Sequence, residues 1–205
     1  MRYRSFILLS ILFLSLSGFD QYKSHLIYAK TYEVVGEHAI NLTNDTRKAK
    51  MWFIISEAKT HDEFAQTTIL AAIELHKKYR EYDLIQVILV PDKDMVATDT
   101  YYSSVYYAVD KKGLKGVSGA DQKTMVSFEW LVRAAEKSLN KQELEIAKLW
   151  HRHQADFPSE DLLSSLSYNE KKLVNFIADS LKLDNDAVNL PRIQLLEYQG
   201  LDFLD

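Results

Sequence analysis

The sequence predicts an α+β fold: a mixed β-sheet of about five strands with one crossover helix, followed by a C-terminal helical segment packed on it. Three observations lead there. Short apolar runs of strand length recur through the first two thirds of the chain. One long amphipathic stretch opening on a capping box separates two of them. Two more stretches with helix-start signals then follow, with no apolar alternation between them.

The elements follow in chain order. Thr31 to Ile40 carries Tyr32, Val34 and Val35 and reads as a first strand. The polar stretch 41–50 is a turn. Met51 to Ser56 is continuously apolar, as a central strand is. Thr60-x-x-Glu63 starts a helix with Ala65, Ile69, Ala72, Ile73 and His76 on one face, fading near Arg80. Asp83 to Val90 is a second buried strand, stopped by Pro91. Strand, helix, strand in this order implies a parallel crossover. Tyr101 to Val109 is a Tyr-rich strand. Met125 to Arg133 alternates Val126, Phe128, Trp130 and Val132 with wetter residues and reads as the last strand, although Leu131 interrupts the pattern.

Beyond residue 138 the pattern turns helical. Asn140-x-x-Glu143 is a second capping box, followed by Ile146, Leu149, Trp150 and His153 as the inward stripe. Pro158 ends that region. Ser167-x-x-Glu170 opens another helix with Leu173, Phe176, Ile177 and Leu181 inward, and a tail with Pro191 closes the chain. The sheet region 31–138 and the helical region 139–205 are each small for an independent core, so they are expected to form one globular unit.

Composition narrows the function classes. The 205 residues include no Cys, which excludes disulfide scaffolds, thiol nucleophiles and Cys-ligated metal sites. The formal charge of −4 argues against a nucleic-acid surface. At the N-terminus, Arg2 and Arg4 precede an uncharged run rich in Phe, Ile and Leu, and Ser15-Leu16-Ser17 supplies small residues where a signal peptidase reads them. Residues 1–17 are therefore expected to be a signal peptide, with 18–30 a polar lead-in. The alternative is a retained anchor through residues 5–19. As a helix that run reaches roughly 22 Å, short of a hydrocarbon core of about 30 Å. Cleavage removes two Arg and no acid. Asn41-Leu42-Thr43 and Asn44-Asp45-Thr46 match the glycosylation sequon, which matters only in a eukaryotic secretory pathway.

Three groups of side chains have residue types that can carry chemistry. His151 and His153 with Asp156 have the composition of a metal site, but on a helix two residues apart they point about 200° apart, so no metal is expected. His76 in the helix stripe reads as a core histidine. Asp92, Asp94 and Asp99 lie beyond a strand of the parallel pair, where ligands bind in open sheets. Lys93 among them and the missing Gly and Glu of an EF-hand favour a solvated turn over a cation site. No catalytic residue and no cofactor is assigned.

Two further features are candidate contact surfaces. The stretch 110–124 holds Gly113, Gly116 and Gly119, half of all the glycines, and carries a local excess of lysine. Its free N–H groups with Lys111, Lys112, Gly113, Lys115 and Gly116 make a candidate anion or ligand site. The bland alternative is an exposed turn in which glycine meets backbone geometry. Tyr102 and Tyr106, flanked by Tyr101 and Tyr107, place two tyrosines on each strand face. They form a candidate interaction surface, able to receive a partner strand if theirs is an edge.

Three stretches carry a family likeness. They are Tyr32-Glu33-Val34-Val35, then Tyr107-Ala108-Val109-Asp110-Lys111-Lys112-Gly113 running to Gly116, then Gln142-Glu143-Leu144-Glu145-Ile146-Ala147-Lys148-Leu149-Trp150. With the order of elements, they resemble the bacterial family catalogued as domain of unknown function 4875, over roughly residues 31–198. The resemblance implies an α+β domain from a bacterial or phage-associated source and brings no activity. The expectation is a non-catalytic binding module at the cell envelope, periplasmic or secreted, with an envelope protein as partner and no nucleic acid. The alternative is a periplasmic small-ligand-binding or hydrolytic enzyme using the 92–99 and 110–124 loops together.

Overall fold

A computed structural model describes residues 24–42, 46–117, 127–159 and 167–201. The signal segment 1–17, both sequons in part, and Ser118 to Val126 of the predicted loop and last strand lie outside the described residues.

Six strands form one sheet among the described residues, in chain order: β1 (Tyr32–Ala39), β2 (Ala49–Ser56), β3 (Leu84–Leu89), β4 (Ser103–Ala108), β5 (Trp130–Ala135) and β6 (Leu195–Glu197). Only β2 and β3 run parallel, joined by the crossover helix α1 (His61–Lys78). Every other neighbour pair is antiparallel. The sheet is mixed and the class is α+β, as the sequence predicts, with one strand more than the five expected. The C-terminal region adds two helices, α2 (Lys141–His153) and α3 (Glu170–Leu181).

The two faces of the sheet are read directly from alternation. On β2, Trp52 and Ile54 join Ile85, Val87 and Leu89 of β3 beneath α1. Their neighbours Phe53, Ile88 and Val90 point the other way, onto Met95 and Ala147 of α2. β3 is buried along its whole length because both faces are covered. Phe64, Ala65, Ile69 and Ala72 of α1 are fully buried. Burying a side chain such as Phe64 contributes about 2–3 kcal/mol.

Both predicted capping boxes form. Thr60 accepts from the Glu63 N–H, and the Glu63 carboxylate accepts from the Thr60 N–H. Asn140 and Glu143 do the same at α2. The third helix start is corrected by two residues. Asn169, not Ser167, caps α3, its side-chain oxygen accepting from the Lys172 N–H at 3.1 Å.

Three further corrections have physical reasons. The last predicted strand, Met125 to Arg133, is observed as Trp130–Ala135. Trp130 and Val132 keep the inward alternation, and Leu131 pairs with Tyr106 on the opposite, also partly buried, face. The tail is not purely irregular: β6 returns to pair with β5, and Tyr198 after it is buried, its hydroxyl accepting from Gln66 of α1 at 3.2 Å. The lead-in is also tied down over its described part. Leu26 is buried, and the Tyr28 and Lys30 N–H groups donate to Gln66 and Thr67 of α1.

Candidate functional site

A broad depression lies where the helical region meets the sheet. A cleft of about 950 Å³ is bounded by Asp99 and Thr100, which lead into β4, by Trp150 of α2, by Tyr168 and Glu170 at the start of α3, and by the segment from Asn189 to Ile193 before β6. Local sequence explains each wall. The 3-10 turn Lys93–Met95 after β3 tucks Met95 into the core and delivers Asp99 and Thr100 to the rim. Trp150 ends the inward stripe of α2. Its indole N–H donates to the Tyr168 hydroxyl at 3.2 Å, which joins the two helices across the cleft floor.

The charges around the cleft are of both signs. Arg192, Asp99 and Glu170 are exposed, and among the described residues none of them is ion-paired. Behind Thr100, His151 Nε2 meets the buried Thr100 Oγ1 at 2.8 Å. His151 Nδ1 is buried with no hydrogen-bond partner among the described residues. Burial pushes the His151 pKa down, against a smaller upward pull from Asp99.

A second cavity, of about 580 Å³, opens beyond the carboxyl ends of β2 and β3 and touches the start of β1. Its walls include Tyr32, Glu33, Glu57, Asp92 and Lys93. The Tyr32 hydroxyl donates to Glu74 at 2.6 Å, and burial with that carboxylate pushes its pKa up. It serves as a fixed donor.

The structure disperses the predicted site residues. Asp92 caps the 3-10 turn and pairs with Lys148 at 3.1 Å, while Asp94 pairs with Arg152, four residues further along α2. Arg152 holds the Asp94 carboxyl below its ordinary pKa. The Asp-rich loop is thus a clamp onto α2, and only Asp99 of the three reaches the cleft. His151 and His153 diverge as helix geometry requires. His153 pairs with Asp156 at 2.8 Å and packs on Phe176 rather than beside Trp150. His76 sits edge-on to Tyr107, which stacks on Trp130 at 4.0 Å.

The described part of the glycine loop, 110–117, is held from within. Lys111 pairs with Glu129, Lys112 with Asp110. The Gly113 and Lys115 carbonyls turn inward to accept from Arg47, whose side chain is 4% exposed and also pairs with Asp110. The groups gathered at the centre are acceptors around a cation, the reverse of an anion cradle. Gly113 and Gly116 have φ of 58° and 79°, which is the turn geometry that favours glycine. Arg47 was missed because it lies in the polar 41–50 turn, and one arginine among turn residues gives no signal of burial.

The tyrosines also divide differently. β4 lies between β3 and β5, so it is not an edge and offers no pairing groups to a partner. Tyr102 is buried, its ring stacked on Phe64 at 4.7 Å and its hydroxyl accepting from the Leu139 N–H. It joins the core under α1 together with Tyr107. Tyr101 and half-buried Tyr106 face the other side. The alternation fails because Tyr102 precedes the regular strand.

The comparisons with known proteins agree with this architecture. A family model described as "Domain of unknown function (DUF4875)" matches residues 28–193. A solved structure described as that of a DUF487 family protein from Desulfovibrio piger ATCC 29098 is similar, with a TM-score of 0.62 at 21% identity, covering 83% of this chain and 96% of that one. At that identity the likeness speaks to the fold. No curated protein matches.

Proposed function

We propose, from the premise that this chain belongs to the DUF4875 family, that it is an exported, non-catalytic binding protein of the bacterial cell envelope. Its cleft between sheet and helices receives a group of an envelope protein partner. The cleft carries this reading: an aromatic floor of Trp150 and Tyr168 lies under Arg192 and two acids, Asp99 and Glu170, none of them ion-paired among the described residues. The wall is more polar than apolar, and charged groups of both signs above an aromatic floor can orient and hold a polar group. A surface group bearing adjacent opposite charges complements it. The N-terminal sequence supports export, through its basic start, apolar run and Ser15-Leu16-Ser17. Among the described residues, no helix is long and apolar enough to cross a membrane.

The competing enzyme reading needs the 92–99 and 110–124 loops to meet. They leave opposite ends of the antiparallel pair β3 and β4, in which Leu89 faces Ser103 and Leu84 faces Ala108. Six residues of strand hold the described parts of the loops roughly 20 Å apart.

Quantitative affinity purification from envelope extract tests the proposal. A partner retained by the wild type and by Arg80→Glu, but reduced at least about tenfold by Arg192→Glu, is the expected result. Equal retention by both charge-reversed variants contradicts a role for the cleft.

A further inference from the structure

We propose that Thr31 to Val34, at the start of the β1 edge, with the cavity beside them, form a second docking site, for an extended basic segment of a partner polypeptide. This site is separate from the cleft. Among the described residues β1 pairs with β2 alone, so its outer N–H and C=O groups are open to a further strand. The register with β2 slips between Val34 and Gly36. Such a bulge bends an edge and spoils regular pairing. The usable template is therefore 31–34, and Val34, which is 43% exposed, supplies apolar contact there.

The cavity of about 580 Å³ opens at that same end, lined in part by Thr31, Tyr32 and Glu33. Three acids on its wall, Glu33, Glu57 and Asp92, face one cation, Lys93. Asp92 is already paired with Lys148. Glu33 and Glu57 are exposed and make no ion pair among the described residues. Two carboxylates beside an open strand end suit an ammonium or guanidinium group on a strand laid along 31–34.

Charge also decides against a second copy of this chain. Antiparallel pairing of two 31–34 segments brings the Glu33 and Glu57 carboxylates of one copy towards those of the other and supplies no cation for either. A segment alternating apolar residues with Lys or Arg replaces that repulsion with attraction.

Fluorescence anisotropy with the full chain tests the site. The probes are a labelled hexapeptide of alternating Val and Lys, the same peptide with Glu for Lys, and the Val/Lys peptide N-methylated at alternate backbone positions. The Val/Lys peptide is expected to bind, with the other two at least about tenfold weaker. Glu33→Gln with Glu57→Gln, both at exposed positions, is expected to lower Val/Lys affinity by a similar factor, and Arg192→Glu to leave it unchanged. Equal binding of the Val/Lys and Val/Glu peptides, indifference to N-methylation, or unchanged affinity in the double variant overturns the proposal. So does no Val/Lys binding at roughly 1 mM. Loss of Val/Lys binding on Arg192→Glu alone assigns the peptide to the cleft instead and overturns this site while leaving the first reading standing.

Discussion

Arg47 bonds at once to the Gly113 carbonyl, the Lys115 carbonyl and the Asp110 carboxylate, with its side chain 4% exposed. Removing one partner of such a buried group leaves the others unsatisfied, at a cost of about 3 kcal/mol. Arg47→Met is expected to lower the midpoint of urea unfolding accordingly. Lys111→Ala and Lys112→Ala, which remove exposed partners, are expected to change it by less than about 0.5 kcal/mol. Equal effects of all three variants contradict the inward grip of this loop. The histidines give a pH signature. Burial lowers the pKa of both His76 and His151 below the ordinary value of 6.5. Each is therefore held neutral in the fold. The stability this contributes is complete above pH 6.5 and is lost as pH falls through the ordinary value towards the folded one. The melting temperature should drop between pH 7.5 and 5.5. His76→Phe, which keeps a ring against Tyr107, should flatten that drop. An unaltered pH slope in His76→Phe contradicts the assignment. The lowered Asp94 and Glu63 act in a separate window, their contribution being lost at more acidic pH.

Helix starts show where sequence logic works at the level of single elements. Thr60→Ala and Asn140→Ala each break a reciprocal capping box and are expected to cost about 1 kcal/mol. At α3, Asn169→Ala is expected to cost a similar amount and Ser167→Ala nearly nothing, because Asn169 makes the cap. Denaturant titration of the pair decides it, and a larger loss from Ser167→Ala contradicts the observed cap. The same contrast explains how much of the fold was legible. Capping boxes, the continuously apolar β2 and β3, and the α1 stripe are local patterns, and each is found where its pattern lies. The β5 boundary was not legible, since Trp130 and Val132 read alike in a strand starting at 125 or at 130. β6 has three residues, two of them exposed, and no alternation to read. It exists because β5 offers it an open edge, which is a tertiary fact.

At the scale of the whole molecule, the cleft explains why the candidate site was largely invisible in the sequence. Its walls come from 99–100, 150, 168–170 and 189–193, brought together only when the helical region folds back on the sheet. Asp99 was singled out as one of three acids, and the fold sends the other two to Lys148 and Arg152. Arg192 stood next to Pro191 in an apparently structureless tail. Its significance comes from β6, which anchors that tail to β5 and sets it across from Trp150. The sheet's order makes the same point about Tyr102 and Tyr106. Their strand has edge-like composition, yet the chain meanders through it and leaves β1 as an open edge.

The central claim is that the cleft meets an envelope protein. Its most direct test is a photo-crosslinking residue placed at Asn189, on the cleft wall, in the full chain expressed in its own cells, with the same residue at exposed Glu81 as the control. The account predicts a discrete adduct to one envelope protein from position 189 and not from 81, with intact mass showing a chain that has lost residues 1–17. Indistinguishable adducts from the two positions, or a crosslinked chain retained in the cytoplasm at full length, contradict it.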